Sequence, residues 1–363
     1  KFWKLLDTTI YDQMTPLQYA GKYGKNELFK LIFEKDESNF WNLVVRSLDK
    51  KLSPLQAAVK YGKNELYELI IKKDKTEGKR RFWDLVFKTS FYYDLNMEYS
   101  NKEGSDDPPV IIAAKSGFDN FFRLIYEADD TKDKRNFWTQ FNVFALSMSM
   151  RSEPEKEINK QAYSVLSTAA AHGNTKLFEL IYEKAGEDKE RFWDLLKSEK
   201  MNPLIKASIH KRNELFILIF EKDESKFWEL LETKLSKKRT PLQAAAQFGN
   251  NKVFELIYEK DESEDKHRFW GLFKTQDNLI GNPLCDAAAN GQTNLFSLLY
   301  EKVGNDKERF WRLLETPNTN GDKLLELAAA NGQTNLFSLI YEKVGDDKER
   351  FWRLLETPNT NGD

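Results

Sequence analysis

Residues 26–35 read NELFKLIFEK, with Leu28, Leu31 and Ile32 apolar and Phe29 and Phe33 aromatic. This spacing predicts an α-helix whose apolar stripe is too wide for one flank, so it needs cover on two sides. The phrase returns as NELYELIIKK at 64–73, TKLFELIYEK at 175–184 and TNLFSLIYEK at 334–343. Counted from the residue two before each phrase, glycine in all copies but Lys211, the fifth position is always aromatic: Phe29, Tyr67, Phe122, Phe178, Phe216, Phe254, Phe296 and Phe337.

A shorter apolar phrase stands before each of these helices. It reads TPLQYAGKYG at 15–24, SPLQAAVKYG at 53–62 and TPLQAAAQFG at 240–249, with weaker copies at 108–117, 164–173, 202–211, 282–291 and 323–332. Ser or Thr before Pro predicts an N-cap followed by proline in the first turn. The closing glycine predicts a left-handed C-cap, and Lys211, the one replacement, predicts a looser turn. Alanine occupies one position in all eight phrases, from Ala20 to Ala328, which lets neighbouring helices approach closely.

A third phrase completes the period. Every tryptophan follows a phenylalanine, from Phe2-Trp3 to Phe351-Trp352, at separations of mostly 38 to 42 residues. Segments such as FWNLVV and FWRLL read as short amphipathic helices that cover the aromatic back of the helix before them. Residues 290–322 return almost verbatim at 331–363, with only Leu299/Ile340 and Asn305/Asp346 differing. A repeat that cannot bury its own apolar faces needs a like neighbour. The pattern therefore predicts an all-α solenoid: one array over 1–363 of about eight stacked three-helix repeats. Insertions at 89–109 and 144–163 lengthen two repeats to about 55 residues. The chain opens on KFWKLLD, the tail of a repeat, and closes on NTNGD, where another would begin; this reads as a fragment of a longer array.

The phrases TPLQYAGKYG, SPLQAAVKYG and TPLQAAAQFG, each leading into a second helix, resemble ankyrin repeats, as does NTNGDKLLELAAANG at 318–332. Gln18, Gln56 and Gln243 stand where that family usually has histidine, and the repeats exceed its 33 residues by the length of the Phe-Trp helix. The resemblance is thus to atypical, elongated ankyrin repeats; three-helix armadillo-like repeats are the alternative. It implies a protein-binding scaffold without catalysis of its own. Arrays this aromatic and this rich in Lys and Asn also look like those of large bacterial effectors or toxins.

The chemistry of the chain agrees with a scaffold. With 56 basic and 58 acidic side chains there is no basic excess for nucleic acid. No apolar run has the length of a membrane span. The single cysteine, Cys285, excludes an internal disulfide and fits a reducing compartment such as the cytoplasm, which for an effector means the host's. His172, His210 and His267 lack a third ligand in register, so no metal site is expected. Cys285 shares no repeat with a histidine, no phosphate-cradling or hydrolase motif is present, and neither an enzyme nor a cofactor is expected. The charged linkers EKDES and EKVGDDKE read as solvated helix ends.

Binding is sought where the repeats differ. The ends of the first helices carry Lys22-Tyr23, Lys60-Tyr61 and Lys115, joined by Tyr19 and, further on, Phe248. Phe91, Tyr92 and Tyr93 make the first insertion too aromatic for a plain linker. Tyrosine offers contact area at low entropy cost and lysine favours an acidic partner. The leading expectation is recognition of an acidic protein on a concave face or inserted loop. The alternatives are a spacer that positions an external catalytic or toxic domain, and self-association through exposed array ends.

Overall fold

The computed structural model describes residues 2–6, 8–9, 14–46, 52–87, 107–143, 165–197, 202–232, 239–273, 282–317, 321–345 and 348–356. The chain is all-helical, and no β-strand forms among the described residues. It divides into two compact halves, Lys1–Gly186 and Glu187–Asp363.

In the first half, Pro16–Tyr23 packs on Pro54–Lys60, that helix on Pro109–Ser116, and that one on Val165–His172. In the second, Pro203–Ile209, Pro241–Gln247, Pro283–Ala289 and Leu324–Ala330 pack in the same succession. These are the eight first helices expected from the sequence. Their shared alanines, from Ala20 to Ala328, are all buried. Two backbones approach closely at Gly21, where a Cβ would fall 2.3 Å from the Pro54 carbonyl oxygen.

The helix starts follow from the phrase Ser/Thr-Pro-Leu-Gln. Thr15 N–H donates to Gln18 Oε1 at 2.8 Å and Gln18 N–H donates to Thr15 Oγ1 at 3.2 Å, a reciprocal cap that Ser53/Gln56 and Thr240/Gln243 repeat. The glutamine has a second task. Gln18 Nε2 donates to the Leu52 carbonyl and Gln56 Nε2 to the Asp107 carbonyl, both at 2.7 Å, so the side chain that caps one helix also holds the entry to the next repeat. What reads in sequence as a departure from the ankyrin histidine is a polar staple between repeats.

The helix ends behave as expected at glycine and differently at Lys211. Gly24, Gly62, Gly117, Gly173, Gly249, Gly291 and Gly332 all take positive φ. Lys211 takes φ 57°, and its turn is no looser: Arg212 N–H donates to Ala207 O at 2.9 Å, as Lys63 N–H does to Ala58 O at 2.8 Å. The turn's hydrogen bonds impose the left-handed conformation on lysine, at a cost of about 1–2 kcal/mol.

Each second helix is followed by a Phe-Trp helix, such as Glu37–Val45, Glu224–Glu232, Lys307–Glu315 and Lys348–Glu356. The aromatic residue near the end of the second helix meets that phenylalanine edge-on: Phe33 and Phe40 at 5.2 Å, Tyr126 and Phe137 at 5.0 Å, Phe220 and Phe227 at 5.3 Å, Tyr300 and Phe310 at 5.2 Å. The aromatic flank of the second helix is covered in this way.

The linkers before these helices are not merely solvated. Asp74, Asp129 and Asp261 are buried. One carboxylate oxygen of Asp129 accepts from the Thr131 amide at 3.0 Å and its hydroxyl at 2.6 Å, while the other accepts from Phe137 N–H at 2.7 Å. Asp74 holds Thr76 and Phe82, and Asp261 holds Ser263 and Phe269, in the same manner. Burial pushes the Asp261 carboxyl up, but the Ser263 hydroxyl, the amides of Phe269 and Ser263 and the nearby His267 outweigh it and hold its pKa below the usual value. Each aspartate thus fixes the start of the Phe-Trp helix.

Candidate functional site

The first helices of the first half bring four of the expected residues together. Lys22 lies on the same helix as Tyr19 and Tyr23, and Tyr61 comes from the end of the next first helix. The Lys22 ammonium stands 5.7 Å from the Tyr19 ring centre, 5.2 Å from Tyr23 and 5.1 Å from Tyr61. The Tyr19 and Tyr23 rings are themselves 5.2 Å apart. A cation shared by three aromatic faces is held in place without losing its charge. Partial desolvation pulls the Lys22 pKa down, but the hydrogen bond to Tyr23 and the phenol oxygens of Tyr23, Tyr61 and Tyr19 outweigh it, and the net shift is upward.

Exposure shows what this cluster can offer. Tyr23 is 49% exposed and Tyr61 44%, and Lys60 beside Tyr61 is exposed as well. Half-open tyrosines around a fixed cation form a ready contact surface with little side-chain freedom left to lose. The patch contains no nucleophile paired with a base.

The remaining expected residues lie elsewhere. Lys115 is tied to Asp107 by a 2.6 Å ion pair, so the lysine strip is neutralised at its third member. Sequence reasoning missed that partner because Asp107 falls in the first insertion, eight residues before Lys115. Phe248 is exposed at the end of Pro241–Gln247, in the other half of the chain. Phe91, Tyr92, Tyr93 and the insertion at 144–163 lie outside the described residues.

Cys285 is buried, and burial, with Asp286 and Asp322 adding to it, pushes its thiol up to about 12, so it stays protonated at neutral pH. His172 Nδ1 lies 2.9 Å from the Thr168 carbonyl oxygen of its own helix. Among the described residues no group of three or more His, Cys, Asp or Glu side chains could hold a metal ion, and no helix is long and apolar enough to cross a membrane.

One titratable group stands out in the second half. Burial raises the Asp286 carboxyl to about 6, against the opposing effects of Arg239 and a hydrogen bond from Gln243. Its folded pKa lies above the unfolded value, so the native state holds its proton more tightly. Stability from this group is therefore full only below about pH 3.8 and is lost as pH rises from there through about 6. The shift of roughly two units corresponds to at most about 3 kcal/mol above pH 7. Asp286→Asn should raise the urea midpoint clearly more at pH 7.5 than at pH 4.5. An equal effect at both pH values would show that ionisation of Asp286 is not the cause.

By sequence, the chain matches no protein-family model and no curated protein.

Proposed function

We propose that the chain is an ankyrin-like repeat array that recognises an acidic protein partner through the patch of Tyr19, Lys22, Tyr23, Lys60 and Tyr61. The observation that carries this reading is the Lys22 ammonium held among three tyrosine rings drawn from two successive first helices. The ankyrin-like reading draws support from the successive packing of the first helices, six of the eight with proline in the first turn and each closed in a left-handed turn and followed by a second helix. A stack of this kind presents equivalent positions of successive first helices side by side, and a partner laid across them meets Tyr23, Tyr61 and the lysines together. Carboxylates on that partner would gain from Lys22 and Lys60, whereas Lys115 is already paired.

The test is capture from cell lysate by the intact chain, with a Lys60→Glu/Tyr61→Ala variant of unchanged helicity run in parallel. A protein retained by the wild type and reduced about tenfold or more by the double change, roughly 1.4 kcal/mol or more of binding, is the expected result. Equal retention by both proteins would remove this patch from the reading. Retention by neither would favour the spacer.

A further inference from the structure

Successive repeats are joined by a recurring contact that involves neither the tyrosine patch nor any first helix. At four junctions an arginine just before Phe-Trp reaches back onto the tryptophan of the preceding repeat. Arg81 lies over Trp41 at 5.3 Å, Arg268 over Trp228 at 5.5 Å, Arg309 over Trp270 at 5.4 Å and Arg350 over Trp311 at 5.3 Å. At three of these junctions the guanidinium also pairs with a glutamate in the first turn of the helix that carries the tryptophan: Glu37 at 3.6 Å, Glu224 at 3.6 Å and Glu308 at 2.6 Å. A second contact accompanies it in the second half. Lys302 stands over the Tyr258 ring at 4.8 Å and its carbonyl accepts from the Tyr258 hydroxyl; Lys343 and Tyr300 repeat both contacts. The trailing side of a repeat is thus a receptor for a lysine and an arginine seven residues apart, as in Lys302/Arg309 and Lys343/Arg350.

The last repeat carries the same receptor uncovered. Residues 331–363 copy 290–322 with two changes, neither at these positions, so the difference in exposure follows from what lies on top. Trp352 is 52% exposed where Trp311 is 5%, and Leu355 is 41% exposed where Leu314 is 2%. Tyr341 stands open at 42%, and Glu349 occupies the place of Glu308.

We propose that the face formed by Tyr341, Glu349, Trp352 and Leu355 is a docking surface for another repeat of this kind, one that presents Lys-x6-Arg-Phe-Trp. The incoming arginine lies on Trp352 and pairs with Glu349, and the incoming lysine covers Tyr341. A second copy of this chain offers this surface a weaker partner, because Asn39, which precedes Phe40-Trp41, has no guanidinium to lie on Trp352 and pair with Glu349.

The experiment lengthens the chain by one further copy of residues 323–363 placed after Asp363, and follows amide hydrogen exchange in Thr334–Lys343 and Lys348–Glu356. Exchange there should slow about tenfold or more, and Trp352→Ala with Glu349→Gln should remove most of that gain. Sedimentation of the unlengthened chain should show no Trp352-dependent self-association over micromolar concentrations. An added copy that is helical by circular dichroism but leaves exchange unchanged would overturn the proposal. Self-association abolished by Trp352→Glu would overturn it too, by making a second copy the occupant.

Discussion

Phe310→Ala is expected to destabilise the second half of the chain by about 3–5 kcal/mol, read from the urea midpoint of that half. The phenylalanine is buried and meets Tyr300 of its own second helix edge-on at 5.2 Å. Removing the ring forfeits its transfer free energy and leaves a cavity that the flanking helices can close only in part. Phe351→Ala should cost a similar amount in the last repeat, because Phe351 packs on Tyr341 of its own repeat in the same geometry and is also buried. The phenylalanine of each pair therefore belongs to the inside of its own repeat, whether or not another repeat follows. A small loss at Phe310 would mean that the Phe-Trp helix is not what covers the second helix.

The tryptophan beside it does a different job. In Phe310-Trp311 the first ring faces inward to Tyr300 while the second is covered by Arg350 of the next repeat. The two residues are neighbours on a helix, about 100° apart, and so address two different flanks. This division explains why they recur as a pair: one ring closes the repeat and the other joins it to its successor. It also accounts for the arginine that so often precedes the pair, since that residue is the next repeat's half of the same joint.

Much of the fold was legible in the residues. Ser/Thr-Pro-Leu at 15–17, 53–55 and 240–242 marked helix starts, and the apolar positions at Leu28, Leu31 and Ile32 marked the second helix, because local capping and helical periodicity are written directly in the sequence. The roles of Asp74, Asp129 and Asp261 were not legible. Each sits among charges of both signs, and the amide it holds lies eight residues later, across a turn that puts residues such as Asp133, Lys134, Asp265 and Lys266 at positive φ. Gln18 and Gln56 looked like lapses from a family pattern until their amide groups were seen to reach the next repeat. Of the candidate patch, the stripe of Lys22, Tyr23, Lys60 and Tyr61 could be read from equivalent positions. The convergence of Tyr19, Tyr23 and Tyr61 on one ammonium, and the loss of Lys115 to Asp107, needed coordinates. Asp286 gave one faint signal, a carboxylate inside the otherwise apolar phrase NPLCDAAANG.

The duplicated sequence supplies its own control for the central claim, that tryptophan joins one repeat to the next. Trp311 and Trp352 occupy equivalent places in nearly identical repeats and differ in whether another repeat covers them. The measurement is the change in unfolding free energy for Trp311→Ala and for Trp352→Ala in the same chain. The expected losses are about 3–5 kcal/mol at Trp311 and less than about 1 kcal/mol at Trp352. Equal losses at the two positions would contradict the account, because the tryptophan would then be serving its own repeat rather than the joint.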